Sequence, residues 1–519
     1  MAVAAVKQDS NIVGLSYAEE TAVLGVLPVT PVWYQLEPNS IGNFGGALKT
    51  VARDPINPSR QRKKGTVTDL DATVAFVTDL TQTNQQDLLQ GFFFADLRRK
   101  AEFGVLTGNF TTVETADDSY NAASGLSVFL ANDLVFASTF VNGGNNGLHR
   151  VLTTAAGKIT VAENLVDESP AAGIGALVAV GHEFVVATVD VVAPGAAYPK
   201  LSRASGALDY TTLGLLPGEI IFIGGDASDE RFVGTNNNGF ARVRSVAASY
   251  IELDKTSEVM TSETGTGLTI RIFYGRVLKN ELGDLITRRS YNLEELLGAE
   301  DLDEPTQIQS NYVTGCVGNK WKLNIPTGDK IVTDLEYIGT NFETRAGAVG
   351  KKSGTRSTLV ETDCFNTSSD VTRIKLASVT ANDSCPASLF SYLETLSIEL
   401  NNNIKPDKAV GVLGAFDVTT GTFQVEGSAD AYFASVAAIE LVRDNVDATL
   451  EIHLVKLNTG ISFDLPLLSI GDAQPKVEKD TAIKQPITVQ AATGVKIASW
   501  LDYTMLMVFW DYLPSLADS

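Results

Sequence analysis

The sequence predicts a mainly β protein made of β-sandwich domains, a flanking helix and an inserted all-β module. Two observations indicate this class. Glycine accounts for 44 of the 519 residues, and threonine, valine, asparagine and aspartate are frequent, which favours strands and turns over helices. Several long segments also alternate apolar and polar residues with period two, which is typical of strands that place one face on a core and the other in solvent.

The clearest alternation lies in segment 396–433, which predicts two strands joined by a long turn. Its apolar positions are Leu396, Ile398, Leu400, Phe423 and Val425. Its polar positions are Ser397, Glu399, Asn401, Thr422, Gln424 and Glu426. The polar face of this hairpin is acidic and hydroxyl-bearing and contains no cation, so we expect it to carry the function.

The N-terminal region predicts an irregular arm, a strand and a helix, in that order. Residues 1–40 contain three prolines that break regular elements. The strand at 66–77 places Asp69, Asp71 and Thr73 on its polar face. Residues 84–100 predict a helix that Asn84 would cap, with a helical stripe formed by Leu88, Leu89, Phe92 and Phe93.

This opening segment resembles the hairpin at 396–433. Ile56 and Pro58 align with Ile404 and Pro406 at one common offset. The strands before them alternate in phase, with Leu48, Thr50 and Ala52 corresponding to Leu396, Ile398 and Leu400. Either one β-sandwich domain has been duplicated within the chain, or two hairpins are similar by chance.

Residues 114–270 are small, rich in glycine and asparagine, and poor in charge. Within them NGGNNGLHRV (142–151) matches GTNNNGFARV (234–243), and each match lies between apolar strands. Asn-Gly is a strong tight-turn signal because both residues tolerate positive φ. We therefore expect an inserted all-β module of two related halves. The chain then divides into a first β-sandwich domain with its arm (1–113), the module (114–270) and the remaining strands with a second such domain (271–519).

Charge and cysteine content exclude several classes of protein. The net charge is −22 and the pI is near 4.6, whereas a protein that grips nucleic acid through its phosphates is basic. Cys316, Cys364 and Cys385 lack metal-ligand spacing and predict free thiols in a reducing compartment. The N-terminus lacks the apolar core of a signal peptide. The most apolar window, 174–193, is interrupted by charged residues and predicts buried strands, so no membrane insertion is expected.

The sequence predicts no catalytic, cofactor or metal site. His182-Glu183 lacks the second histidine of a metalloprotease motif, and His453 alternates in a strand where we expect it at the surface. Segment 347–355 differs from a phosphate-binding loop because Lys352 follows Lys351 where Ser or Thr is required. Scattered carboxylates give no defined glycosidase pair.

Several stretches resemble the major tail tube proteins of long, flexible-tailed bacteriophages, of the larger class with two tube-type halves. They are SYAEETAVLGVLP with the following Trp33, Tyr34 and Leu36; RDPINPSRQRKKG to LDATVAF; RSYNLEELL; Tyr312 with Gly315, Cys316 and Val317; LSIELNNNIKPDKAVG; and the final Ala-Tyr-Phe of the hairpin. Their order and spacing carry the resemblance, which leaves residues 114–270 uncovered.

The resemblance implies a structural virion protein of the tail, made in the bacterial cytoplasm. Its subunits would form rings, trimeric with pseudo-sixfold symmetry in preference to hexameric, and the rings would stack into a hollow tube. The tube would contact a tape-measure protein and tail terminator and tip proteins, and double-stranded DNA would pass through it without specific binding. The module would project outward, and Trp33 and Tyr34 would contact the next ring. The implied lumen lining is Asp69, Asp71, Thr73, Ser397, Glu399, Gln424 and Glu426.

Two other classes remain open from the residues alone. A capsid decoration, baseplate or surface-layer subunit would share the acidity, the Asn-Gly hairpins and the lack of catalytic residues. A carbohydrate-active β enzyme is disfavoured by that lack. Lys49 and Arg53, which share the polar face of their strand, also depart from a purely anionic lining.

Overall fold

The computed structural model describes residues 13–56, 58, 61–104, 107–186, 188–193, 198–203, 208–297, 308–357, 362–380, 382–390, 392–433, 436–471 and 474–518. These residues confirm a mainly β protein. They form a 17-stranded sheet, a 14-stranded sheet and a two-stranded sheet, together with two short α-helices.

The N-terminal region supplies four strands and one helix. They are β1 (Val13–Glu19), β2 (Val32–Leu36), β3 (Pro38–Arg53), β4 (Lys63–Asp79) and α1 (Gln86–Phe93). The expectation of an irregular arm is therefore wrong for residues 13–19, 32–36 and 38–40, which form strands, and is confirmed for residues 20–31. Pro28 and Pro31 precede β2 and Pro38 is the first residue of β3, where a missing N–H interrupts no ladder. β1 pairs antiparallel with β2 and with the later strand β20 (Tyr291–Leu297).

Helix α1 is shorter than the predicted helix over 84–100. It ends because Phe94 adopts a left-handed conformation at φ 50°, which cannot continue a right-handed helix. Asn84 does not cap it; the carbonyl oxygen of its side chain instead accepts the backbone N–H of Thr81 at 3.2 Å. The predicted apolar stripe is confirmed, since Leu88, Leu89, Phe92 and Phe93 are all buried in the main core.

The second sheet contains every strand from residue 102 to residue 274. Its strands are β5 (Glu102–Gly104), β6 (Phe110–Glu114), β7 (Ser119–Ala122), β8 (Asp133–Ser138), β9 (Gly147–Ala155), β10 (Lys158–Val161), β11 (Ala176–Glu183), β12 (Val189–Val192), β13 (Lys200–Arg203), β14 (Ile220–Ile223), β15 (Gly239–Ala247), β16 (Tyr250–Asp254), β17 (Glu263–Thr264) and β18 (Arg271–Tyr274). The apolar window 174–193 thus forms two strands, β11 and β12.

The strand order of this sheet repeats. The first half runs β6-β7-β10-β9-β8-β11 and the second runs β12-β13-β16-β15-β14-β18, and the halves meet where β11 pairs with β18. The turns repeat as well. Glu168 accepts the N–H groups of residues 141 and 142 and the amide of Asn145, and Glu263 accepts those of residues 233 and 234 and the amide of Asn237. The strand order and the hydrogen bonds in the turns both support the two related halves predicted from the Asn-Gly repeat.

The C-terminal region completes the first sheet. Its elements are β19 (Arg276–Lys279), β20 (Tyr291–Leu297), β21 (Gln309–Ile325), β22 (Val332–Gly339), β23 (Asn341–Ala346), β24 (Thr355–Arg356), β25 (Val371–Ser378), β26 (Leu393–Asn401), β27 (Lys405–Asp407), β28 (Asp417–Thr419), β29 (Gln424–Tyr432), α2 (Ala437–Arg443), β30 (Ala448–Lys456), β31 (Thr459–Ile470), β32 (Lys484–Ala492) and β33 (Leu506–Trp510).

These strands form two layers around one core. One layer runs β3-β4-β22-β21-β26-β29-β32 and continues into the end of β31. The other runs β25-β30-β31-β33-β19. Strand β31 belongs to both layers because residues 460–464 pair with β33 and residues 467–470 pair with β32. Side chains of both layers and of α1 share one apolar cluster, as in a β-sandwich.

Candidate lumen-facing sheet and assembly surfaces

All seven residues predicted to line a lumen lie on one face of the first layer, the face turned away from its core. We call this the polar face. On β4 the acids at 69 and 71 alternate with buried apolar side chains, and β26 and β29 show the same alternation. The register places Glu399 directly opposite Glu426 and Ser397 opposite Ser428. The structure therefore brings together residues more than 300 positions apart, on strands β4, β26 and β29.

Strands β21 and β22 lie between those strands, and the prediction missed their contribution. Lys320, Lys322 and Asn324 alternate with buried Trp321, Leu323 and Ile325, so their side chains share the polar face. On β22, Asp334 and Glu336 do the same. Their alternation was visible in the sequence, but only the pairing of β21 with β26 shows that they belong to this face. The statement that the face contains no cation holds for the 396–433 hairpin strands and not for the whole face.

The two acids of β4 are not free anions. Lys408, from the loop between β26 and β29, lies 2.6 Å from Asp69 and also bonds Asp71, and Lys49 of β3 lies 2.5 Å from Asp71. Hydrogen bonds from Lys408 lower the pKa of both carboxyl groups, and those from Lys49 lower it further. Both acids are therefore ionised at neutral pH, and two ammonium groups balance their charge.

The acids of β26 and β29 are less compensated. Glu399 and Glu426 face each other across the strand pair, and like charges directly opposite repel. Glu399 lies 3.4 Å from the ammonium of Lys320 on β21. Glu426 has Gln490 of β32 on its other side. This half of the polar face is thus the more strongly anionic one.

The two residues predicted to make a ring-to-ring contact have different environments in β2. The Trp33 side chain is fully buried, packs edge-on against Tyr312 with centroids 5.8 Å apart, and donates its indole N–H to Ser353 O at 3.1 Å. Tyr34 is 39% exposed and stacks on Tyr17 at 5.3 Å. Of the pair, Tyr34 presents the surface accessible to another chain.

A buried carboxylate fixes the N-terminal strands to the rest of the layer. Glu20 accepts the backbone N–H groups of Gly25 and Gly315 at 2.7 and 2.8 Å. It also accepts the hydroxyl of Ser290 at 2.7 Å and the amide of Asn292 at 2.8 Å. Four donors satisfy this group, which is the condition under which a buried charge is tolerated. Nothing in the sequence pattern singled Glu20 out.

Two segments, called here the two hairpin loops, carry exposed apolar side chains: the projecting end of the β3–β4 hairpin and the loop between β26 and β29. The β3–β4 hairpin exposes Leu48, Val51 and Val67 on both of its strands. The loop between β26 and β29 exposes Val410, Val412, Leu413 and Phe416. Lys408 joins the two loops through the acids of β4, so they lie at the same end of the layer. Exposed apolar groups clustered at one end indicate a contact surface.

The module packs against the layer opposite the polar face. Apolar residues of β8, β11, β14, β15 and β18 form one cluster with residues of β19, β30, β33 and the C-terminal segment. Beside this cluster, Asp464 of β31 is 1% exposed and accepts Arg242 of β15 at 3.0 Å, Lys255 beside β16, and the hydroxyl of Tyr503 at 2.7 Å. Arg242 also binds Asp254 through two nitrogens at 2.8 and 3.0 Å. A buried ion network therefore fixes the module to the sandwich.

The histidines give no sign of catalysis. His453 is buried, not exposed as predicted, because β30 lies under the module: its ring stacks on Phe240 at 4.1 Å and bonds the Ser462 hydroxyl at 2.8 Å. Burial lowers the pKa of His453 well below its usual range, which keeps the ring neutral. His182 bonds Asp133 at 3.0 Å inside the module.

Two further properties concern only the part of the chain that the structure describes. No group of three or more His, Cys, Asp or Glu side chains there could hold a metal ion. None of its helices has the length and apolar character needed to cross a membrane.

The three cysteines Cys316, Cys364 and Cys385 are free thiols, of which only Cys316 is fully buried.

Comparison with protein families identifies a relationship over most of the chain. A family model described as phage tail tube protein matches residues 10–491, which is nearly the whole chain. The matched span includes the N-terminal strands, the module and every strand of the polar face. No curated protein matches the chain.

Proposed function

The chain belongs to the phage tail tube protein family, and on that premise we propose that three copies form a ring whose bore is lined by the polar face. As a family member the protein is a structural, non-enzymatic component of the virion tail that assembles into the tail tube. The proposal adds the face that lines the bore, the number of chains and the position of the module.

The position of the module supports the lining more than any other observation. A sandwich in a tube wall has one layer towards the bore and one towards the outside. The module occupies the layer of β30, β31 and β33, and it would block the bore if that layer faced inward. The opposite layer carries Glu399, Glu426 and their polar neighbours, and an anionic wall repels the DNA backbone. The module then projects from the tail exterior.

The number of strands favours three chains over six. The polar layer contributes eight adjacent strands, the last being the short end of β31. Strands about 4.8 Å apart and tilted by about 40° give a 24-stranded barrel about 48 Å across its backbone. Side chains on the inner face reduce the bore to about 35 Å. A B-form duplex is roughly 20 Å wide and passes through such a bore. Six chains would give a backbone diameter of about 96 Å, far wider than a duplex needs.

A duplicated tube domain is the second part of the proposal. A strand, its antiparallel partner and a helix follow in that order twice, as β3, β4 and α1 and then as β26, β29 and α2, although the short strands β27 and β28 lie between β26 and β29. Both hairpins pair antiparallel within the same layer. The aligned positions differ in burial, since Leu48 is exposed whereas Leu396 and Leu400 are buried. The order of elements therefore carries this proposal, and the domain division 1–113, 114–270 and 271–519 follows from it, although the strands of the module extend from 102 to 274.

The remaining assignments concern partners. We place the chain in long, flexible-tailed phages, with a tape-measure protein inside the growing tube, terminator and tip proteins at its ends, and DNA that passes without specific binding. For stacking between rings we propose Tyr34 together with the exposed apolar side chains of the two hairpin loops. Trp33 supports this surface from beneath, because its side chain lies inside the subunit.

Electron microscopy of the purified protein tests the proposal. Hollow tubes with threefold rings, a bore of about 35 Å and outward projections are expected. A bore near 80 Å, or sixfold rings, would contradict the stoichiometry. Projections inside the bore would contradict the lining. Discrete particles that decorate capsids or baseplates and never form tubes would overturn the proposed assembly.

A further inference from the structure

Two lysines stand in the middle of the polar face. Lys320 and Lys322 of β21, here called the lysine row, point to the same side as the acids of β4, β26 and β29. Both are partly exposed, and the side chain of Lys320 is 42% exposed. Lysines exposed on a wall along which DNA moves would bind its phosphates.

Carboxylates flank the lysine row on both sides. Lys322 lies opposite Asp334 on β22 and opposite Glu399 on β26. Lys320 lies opposite Glu336 on β22, and its ammonium is 3.4 Å from Glu399. Positive and negative groups therefore alternate across three neighbouring strands.

Two acids on β29 have no lysine directly opposite them, although Glu394 and, more weakly, Asp430 contribute to the raised pKa of nearby Lys484. Glu426 lies between Glu399 and Gln490, and Asp430 lies between Thr395 and Pro486. These acids belong to the same face and the same layer as the flanking pair. They differ from that pair in having no lysine directly opposite, which makes them a matched comparison.

An ion pair at a few ångströms presents a much weaker field to a distant phosphate than an isolated ammonium does. Glu399 is close enough to Lys320 to compete with a phosphate for its ammonium group, and the register places Asp334 and Glu399 on either side of Lys322. A phosphate that approaches the two lysines therefore also meets the negative charge of these carboxylates and of Glu336.

We propose that Asp334 and Glu399 neutralise the lysine row and so prevent it from holding the DNA backbone during ejection. The inference rests on the proposed function, because it requires the polar face to line the bore. It assigns these acids a role that differs from general repulsion, since their position beside Lys320 and Lys322 matters more than their charge alone.

The test compares two double variants that each remove two negative charges from the same face. Asp334→Asn with Glu399→Gln removes two of the three carboxylates that flank the lysine row and leaves Glu336, whereas Glu426→Gln with Asp430→Asn removes none of the three. DNA ejection is timed from virions that carry each variant at 50 mM and 200 mM salt. If both lysines then contact phosphates, we expect ejection by the first variant to be about tenfold slower at 50 mM than at 200 mM salt. The second variant should match the wild type at both concentrations.

Adding Lys320→Gln and Lys322→Gln to the first variant should restore the wild-type rate. Equal slowing by the two double variants would overturn the inference, because net charge would then suffice. Electron microscopy confirms that each variant forms tubes; where a double variant does not, the single changes Glu399→Gln and Glu426→Gln provide the same comparison. A density map of the wild-type tube distinguishes a failure of the proposed lining from a failure of the proposed role of Asp334 and Glu399. A polar face on the exterior refutes the proposed lining, whereas a face in the bore with equal rates refutes only the role of the two acids.

Discussion

Replacement of Asp464 by asparagine should loosen the contact between the module and the sandwich. This carboxylate is 1% exposed and receives Arg242, Lys255 and the hydroxyl of Tyr503. Asparagine has nearly the same shape but no charge, so the two cations would remain buried with half of their compensation gone. Both belong to the module, whereas Asp464 belongs to β31, so the loss acts on the junction itself.

The expected magnitude follows from two independent estimates. Removal of one partner from a buried ion pair costs about 3–5 kcal/mol. The cations at Lys255 and Arg242, acting against the effect of burial, lower the pKa of Asp464 from 3.8 to about 2. That shift corresponds to about 2.5 kcal/mol of stability. Because the pKa is depressed in the folded state, this stabilisation is present above about pH 4 and is lost as the pH falls towards 2.

Urea or thermal unfolding of unassembled subunits measures the effect between pH 7 and pH 2. The variant should lose about 2.5–5 kcal/mol at pH 7 and show a weaker acid dependence than the wild type. Asp447→Asn is the control, since Asp447 pairs with Lys496 at a largely exposed site and should cost less than about 1 kcal/mol. A loss below 1 kcal/mol for Asp464→Asn, or an unchanged acid limb, would refute the reasoning.

Three further sets of changes test separate parts of the structure. Asn145→Ala and Asn237→Ala should each cost about 1–3 kcal/mol in unfolding experiments. Each removes a hydrogen bond to the turn glutamate, Glu168 or Glu263, and one accepted from a backbone N–H, that of Val166 or Thr261. A cost at only one site would contradict the equivalence of the halves. Gly315→Ala should sharply reduce the yield of folded protein, since φ is +64° and a threonine oxygen would lie 2.2 Å from the new Cβ, whereas Gly328→Ala, at φ +67° with open space around it, should cost only about 1 kcal/mol. Tyr34→Ala should leave subunit stability within about 1 kcal/mol and shorten the tubes seen by electron microscopy; tubes of normal length would exclude Tyr34 from stacking.

Much of the polar face could be predicted because its cause is local. A strand that packs one side on a core must alternate, and the alternation around Asp71, Glu399 and Glu426 is visible without a fold. The repeat of Asn146-Gly147 at Asn238-Gly239 was equally visible, and in each pair the glycine has positive φ whereas the asparagine is extended. The short extent of α1 was less accessible, since only the left-handed conformation of Phe94 ends it.

The features that were missed depend on contacts between distant segments. Strand β21 shows the same alternation as β26, but nothing local indicates that the two pair. His453 alternates in its strand like a surface residue, and the module that covers it is inserted some 200 positions earlier. Glu20 looks like any surface acid until Ser290, Asn292 and Gly315 surround it. In each case the chemistry is local and the partner is not.

The same distinction applies to the proposed orientation of the sandwich in the tube wall, which rests on contacts between distant segments. A polar face backed by a core has two possible environments, external solvent or an internal channel, and its composition is compatible with both. The opposite layer supports the internal channel that we propose, because it carries the module through an apolar cluster and the buried charges around Asp464. A junction of that kind does not open easily, since separation would expose Asp464 and two cations along with the apolar cluster. Our proposal therefore keeps the module on its layer in the assembled tube and assigns the bore to the polar face.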